Sequence, residues 1–183
     1  MSDVAYLRSL LKEYPDFPKK GIVFLDIFEL FKNPIAVETL ITHLLYHITS
    51  QTLFKAPSKK VDVVVGLDAR GFLFGPILAL RLGAAFVPVR KRGKLPGECV
   101  HAAYEKEYGQ DVFEMQAGAI EKGQNVIVVD DLIATGGSAK AAADLVTQVG
   151  GNLLEFIFVI ELTFLKGSQQ LPAPTYSVVQ VED

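Results

Sequence analysis

A chain of 183 residues, half of them hydrophobic and 21% charged, is long enough for one domain with a sizeable core, and it excludes a disordered or low-complexity chain. A net charge of −3 weighs against a general nucleic-acid binder. A single cysteine, Cys99, excludes an internal disulfide and a cysteine-based zinc site and fits a reducing compartment.

The pattern MSDVAYLRSLLKEY has the features of neither a signal peptide nor a transit peptide. Residues 2–14 are expected to be helical, with Leu7, Leu10, Leu11 and Tyr14 on one stripe. Two prolines make Tyr14–Lys20 irregular. A second helix is expected over Pro34–Thr49, capped by Asn33, with the stripe Val37, Leu40, Ile41, Leu44, Leu45 and Ile48. His43 and His47 sit four apart on one face of that helix, and with His101 they form no recognisable metal cluster. From Val61 the rhythm changes. Strands are expected at Val61–Leu67, Ala85–Val89, Asn125–Asp131, Leu153–Ile160 and Ser177–Val181, with helices over Gly75–Leu82 and Ser138–Val149. Continuous apolar strands alternating with helices indicate a mostly parallel central sheet flanked by helices. The apolar stretch Gly71–Leu80 is too short to cross a bilayer and Leu153–Leu165 carries Glu155 and Glu161, so no membrane span is expected. Between Arg90 and Ala119 the pattern weakens into a long charged, Gly-containing segment, which suggests a lid.

The most informative stretch is Val128–Ala139, VVDDLIATGGSA. An apolar strand ends in two acids, a tight glycine turn follows, and a helix begins. Ligands of open α/β sheets bind beyond the carboxyl ends of strands. Ala134, Thr135, Gly136, Gly137 and Ser138 can turn amides and hydroxyls around a phosphate, aided by the helix dipole. Asp130 and Asp131 would repel a phosphate but accept from a vicinal diol such as that of ribose. No Gly-Lys-Ser/Thr follows the glycines, so this is not a Walker loop, nor is it G-x-G-x-x-G.

These residues resemble the signature of the type I phosphoribosyltransferases. Over nearly the whole chain, the sequence is similar to the adenine-specific branch of that family. Asp16–Asp26 (DFPKKGIVFLD) resembles its N-terminal segment over the base, Gly66–Gly75 (GLDARGFLFG) its pyrophosphate loop, and Val87–Glu98 with Tyr104–Tyr108 its strand and mobile catalytic loop. The resemblance implies one α/β phosphoribosyltransferase domain over 1–183. Residues of about 1–33 would form an N-terminal helix and hood, and about 34–183 a core with a mobile catalytic loop at about 91–111.

The resemblance further implies transfer of the phosphoribosyl group of phosphoribosyl pyrophosphate (PRPP) to N9 of adenine, giving AMP and pyrophosphate, as in purine salvage. Glu107 matches the family's catalytic glutamate, with Glu105 close by. Pyrophosphate would meet Asp68, Ala69, Arg70, Arg90, Lys91 and Tyr108, with Arg90 and Lys91 acting partly across a dimer interface. A non-proline cis peptide is implied at Asp68–Ala69. Adenine would pack against Val23, Phe24, Leu25, Leu132 and Ile133, with a backbone carbonyl accepting from its 6-amino group. The family often carries an arginine where Leu25 stands, so only a backbone contact is shared there. Mg²⁺ would arrive mainly with the substrate, without a dedicated protein cage. A homodimer is implied, with no nucleic-acid or membrane partner. Its expected place is the cytoplasm, with nuclear access open to a dimer of this size. The rivals are a 6-oxopurine acceptor and a ligand sensor or inactive paralogue that retains the site.

Overall fold

The computed structural model describes every residue except Pro18, Lys19, Gly21, Ile22, Pro57, Glu107, Tyr108 and Asp183, and describes only the backbone of 55, 105, 106, 109 and 110. Its contacts form two compact units, Met1–His47 and Ile48–Asp183.

In the first unit, α1 spans Asp3–Leu10. Ser2 caps it by accepting from the Ala5 N–H at 3.2 Å, and Asp3 lies in its first turn, where the helix dipole favours an acid. The helix ends sooner than its apolar stripe suggests. Leu11 is extended, and Lys12–Pro15 becomes β1, antiparallel to β2 at Val23–Asp26. Pro15 disfavours the helical conformation at Tyr14, which pairs instead with Phe24. A short α2 (Phe28–Phe31) precedes α3 (Pro34–His47), whose buried positions are Ala36, Leu40, Ile41 and Leu44. Asn33 Oδ1 accepts from the Ile35 and Ala36 N–H groups, the cap expected from its place before Pro34.

The second unit opens with a π turn, Ile48–Thr52, and α4, Leu53–Lys55. Then follow β3 (Val63–Leu67), α5 (Gly71–Leu82), β4 (Ala85–Lys91), β5 (Cys99–Lys106), β6 (Gly109–Gln116), β7 (Asn125–Ile133), α6 (Gly137–Gln148), β8 (Asn152–Leu162) and β9 (Thr175–Val181). The sheet order is β5-β6-β4-β3-β7-β8-β9. The five strands β4, β3, β7, β8 and β9 are parallel, and β6 pairs antiparallel with both β4 and β5. All five residues of β3 are buried, as befits a strand covered on both faces.

Two elements differ from expectation in ways that matter for the site. The helix expected from Gly75 begins at Gly71, so Arg70 stands at its N-terminal cap and Pro76 lies inside it. Tertiary packing overrides the proline: Gly71 lies where an added Cβ would come within 2.7 Å of Val129 O, and Phe74 and Leu78 are fully buried. The segment after Lys91, read as one lid loop, is largely the β5–β6 hairpin. Val100, Ala102 and Tyr104 pair with Met115, Phe113 and Asp111, and this face packs on the core cluster that contains much of α6.

At the amino end of the sheet Asn125, 5% exposed, is fully engaged. Its Nδ2 donates to Ser58 Oγ at 2.7 Å and Lys60 O at 3.0 Å, and its Oδ1 accepts from Asn152 Nδ2 at 2.7 Å. Asn125→Ala strands these partners and is expected to cost about 2–3 kcal/mol of stability. Urea denaturation reads that loss. KM values should stay unchanged, because the carboxyl end of β7 lies roughly 17 Å away along the strand.

Candidate active site

The register brings three strand ends together. Leu67 of β3 pairs with Val89 of β4, and Gly66 pairs with Val129 of β7. The next residues are therefore neighbours: Arg90 and Lys91 after Val89, the turn Asp68–Ala69–Arg70 after Leu67, and Asp130–Asp131 after Val129. This is the carboxyl edge of a parallel sheet, where such folds place their ligands. The Asp68–Ala69 peptide is cis, as the family resemblance implied.

The cations at this edge are paired with carboxylates. Arg70 Nε lies 2.5 Å from Asp131 Oδ2, and Arg90 Nε donates to Asp68 Oδ2 at 2.7 Å. Lys91 does not join them. Successive strand residues point to opposite faces, and Lys91 Nζ meets Asp111 Oδ2 at 3.1 Å on the face that carries Tyr104 and Phe113. Tyr104 hydrogen-bonds to Asp111 at 3.3 Å and also to Ser138 at the start of α6. One polar chain thus runs from the end of β4 through the hairpin to the glycine turn.

Two adjacent carboxylates at a strand end repel each other. Burial, and then the Asp131 charge, push the Asp130 carboxyl well above the usual carboxylate range. Asp131 is raised too, by burial, with the Arg70 guanidinium opposing the rise. Asp131 is 4% exposed, so its charge depends on Arg70. The Asp131 N–H donates to Asp130 Oδ1 at 2.9 Å, which orients the first carboxylate.

The glycine turn has the expected geometry. Gly136 is left-handed (φ 86°) and serves as the N-cap of α6, with its carbonyl accepting from the Lys140 N–H at 2.9 Å. Sequence reasoning missed the surface behind this turn. A Cβ on Gly136 would come 2.7 Å from Gly167 O, and a Cβ on Gly167 would strike Ala134 O and come 2.8 Å from Gly136 N. Gly167, in the β8–β9 connection, is therefore the floor on which the turn rests. It carries no motif, so the sequence held no signal for it. Also missed were Asp111 and Glu114 of β6. Their signal was the alternation Asp111, Phe113, Met115 on one face and Val112, Glu114 on the other, hidden because each face carries an acid.

Among the residues expected to meet a base, Leu132 is partly exposed and Ile133 is 2% exposed at the end of β7. In β2, Val23 is 52% exposed and Leu25 2%, while the Phe24 ring packs edge-on to Phe17 at 5.2 Å. Glu107 and Tyr108 lie outside the described residues, as do the side chains of Glu105 and Lys106.

Paired acids, a left-handed glycine turn and arginines from adjoining strand ends stand together at the carboxyl edge of a parallel sheet, where the α/β proteins of this class take their ligands. The phosphoribosyl transferase domain family matches residues 29–182, and the chain belongs to that family. It is 58% identical over 177 residues to the adenine phosphoribosyltransferase of Yarrowia lipolytica, covering 97% of this chain and 95% of that protein. It is similar to the crystal structure of the Saccharomyces cerevisiae adenine phosphoribosyltransferase complexed with an imino-altritol bisphosphate and adenine (TM-score 0.92, 52% identity, 97% and 98% of the two chains). The Trypanosoma brucei adenine phosphoribosyltransferase, in complex with AMP, pyrophosphate and ribose-5-phosphate, is similar at TM-score 0.82 and 27% identity, over 97% of this chain and 80% of that one.

Proposed function

We propose that this chain is an adenine phosphoribosyltransferase, which joins adenine to PRPP to form AMP and pyrophosphate in purine salvage. The observation that carries the reading is the strand-end constellation, Arg70–Asp131 and Arg90–Asp68 beside the Thr135–Ser138 turn, in a chain similar to adenine phosphoribosyltransferases over nearly its whole length. In the reaction, N9 of adenine bonds to C1 of the ribose, and the C1–O bond to pyrophosphate breaks with its electron pair on the leaving oxygen.

The 5′-phosphate is assigned to Ala134–Ser138, where amides of a left-handed glycine turn and a helix N-terminus favour an anion. Asp130 and Asp131 are assigned to the ribose hydroxyls. Binding there exchanges the Asp131–Arg70 pair for Asp131–diol and Arg70–pyrophosphate contacts, so each charge keeps a partner. Arg70 and Arg90, with the 68–69 peptide, offset the charge that builds on the leaving group. The place of Lys91 and Tyr108 in this set rests on the family resemblance, in which the cations of this strand act partly across a dimer interface. Glu107 is assigned the proton exchanged with the base. Val23, Phe24, Leu25, Leu132 and Ile133 are assigned to adenine, with Leu25 contributing through its backbone because its side chain is buried.

A metal carried by the substrate suits the donors present. Asp130 and Asp131 set two adjacent carboxyl groups, hard oxygen donors, beside the ribose position, and a hydrated dication there would relieve the repulsion between them. Mg²⁺ bound there would supply Lewis-acid charge neutralisation of the pyrophosphate.

A homodimer is part of the reading. The resemblance supports it. A cytoplasmic location is supported by the unpaired Cys99. Among the described residues no helix is long and apolar enough to cross a membrane.

The test is incubation with PRPP and Mg²⁺ plus, separately, adenine, hypoxanthine and guanine, following nucleotide formation. Adenine should react at least about a hundredfold faster than the 6-oxopurines. Equal turnover of a 6-oxopurine would remove the base assignment, and no turnover with any base would remove the reaction.

A further inference from the structure

The segment after β4 is clipped to β6 at three points. Arg92 N–H donates to Val112 O at 2.9 Å, and Gln116 Nε2 donates to Pro96 O at 3.0 Å. Between them Glu114 Oε1 accepts from the Lys94 N–H at 2.8 Å and the Leu95 N–H at 2.7 Å, and the Gly93 N–H also donates to this carboxylate. Glu114 is 3% exposed. Burial opposes its ionisation, but the three amides, with His101 beyond them, outweigh burial and hold the carboxyl below the usual range. A buried carboxylate on a hairpin that needs only apolar contacts for its core face calls for a reason.

The register supplies one. Glu114 stands opposite Arg90 across the β4–β6 pair and opposite His101 across β5–β6, so the three share a face. The peptide between Lys94 and Leu95, which Glu114 holds by the Leu95 N–H, uses its Lys94 carbonyl to accept from Arg90 Nη1 at 3.2 Å. The other end of the same guanidinium, Nε, donates to Asp68 beside the 68–70 turn. With both Nε and Nη1 engaged, the fork has little freedom to rotate.

We propose that Glu114 is a positioning residue for pyrophosphate: by fixing the Lys94–Leu95 peptide it aims the Arg90 guanidinium at the 68–70 turn. This rests on the reading that Arg90 meets pyrophosphate. Glu114 itself touches no reacting atom. Its loss frees the 93–95 turn, lets the Lys94 carbonyl leave Arg90, and leaves the guanidinium held at one end only.

Pyrophosphate and AMP affinities separate this role from a general structural one, because AMP occupies the phosphate, ribose and base positions but not that of pyrophosphate. Glu114→Ala is expected to weaken pyrophosphate binding and raise the PRPP KM about tenfold, with AMP affinity within about twofold of the parent. Glu114→Gln, whose carbonyl still accepts from Lys94 and Leu95, should recover most of the loss. In an Arg90→Gln background either substitution should add nothing further. If the alanine variant does not fold, Glu114→Leu, which fills similar space but accepts no hydrogen bond, takes its place alone and combined with Arg90→Gln, and the same non-additivity decides. Parent-like pyrophosphate affinity in the alanine variant, equal weakening of AMP, or additive losses would each overturn the inference. Failure of the unaltered protein to bind pyrophosphate at all would instead overturn the assigned reaction, and this inference with it.

Discussion

Replacing Arg70 by alanine is expected to lower kcat/KM for PRPP by roughly two to three orders of magnitude. Two losses combine. The guanidinium assigned to the leaving pyrophosphate disappears, and Asp131, 4% exposed, loses its partner at 2.5 Å beside the carboxyl of Asp130. Stability should fall by about 1–3 kcal/mol, less than for a fully buried pair because Arg70 is 37% exposed. The pH dependence has a definite sign. Asp130 and Asp131 bind protons more tightly in the folded chain than in the unfolded one. Such a group contributes its stability fully below the unfolded carboxylate range, and that contribution is lost as pH rises through the folded value. Without Arg70 the Asp131 carboxyl rises further, so the variant should be penalised more at neutral pH than in mild acid. Urea titrations at several pH values check the sign, and initial rates check the activity. A variant with parent-like PRPP kinetics would take Arg70 out of the site.

Gly167→Ala should be nearly as damaging, although no ligand is assigned to that residue. The new Cβ would strike Ala134 O and come 2.8 Å from Gly136 N and Thr135 C, all backbone atoms of the turn assigned to the 5′-phosphate. Backbone cannot swing aside as a long side chain does, so the turn must shift. A displacement of about 1 Å at a positioned group costs on the order of a hundredfold in rate. The loss should appear in both PRPP and AMP affinity, since both carry the 5′-phosphate, and so differ from the pyrophosphate-selective effect expected at Glu114. Gly118→Ala is the contrasting case. Its φ of 78° makes alanine costly by about 1 kcal/mol, but nothing lies within 4 Å of the added methyl, and kinetics should be unchanged. Parent-like AMP affinity in the Gly167 variant would show that the turn does not rest on this floor.

Much of this was written in the order of the residues. Apolar runs at Val63–Leu67 and Asn125–Ile133, each followed by a helix, specify a covered parallel sheet, because only buried strands tolerate so little polarity. The strand end at Asp130–Asp131 and the Thr135–Ser138 turn were legible for the same reason: acids, glycines and a helix start lie within one short stretch, and a strand–turn–helix needs no distant partner to be read. Tyr14 and Pro76 were read less well, since an apolar stripe and a proline rule describe local preference and tertiary pairing overrides both. The hairpin Cys99–Gln116 was obscured because a strand with an acid on each face resembles a loop when charges are counted. What only the tertiary structure decided are the contacts between residues far apart in sequence. Register sends Arg90 to Asp68 and Lys91 to Asp111, on opposite faces of one strand. The connection after β8 lays Gly167 under a turn formed by residues 134–136, and β6 brings Glu114 to the amides beyond Lys91. Residue types announce which charges and turns are available. Sheet register, which is set by the summed packing of the whole core, determines which of them meet.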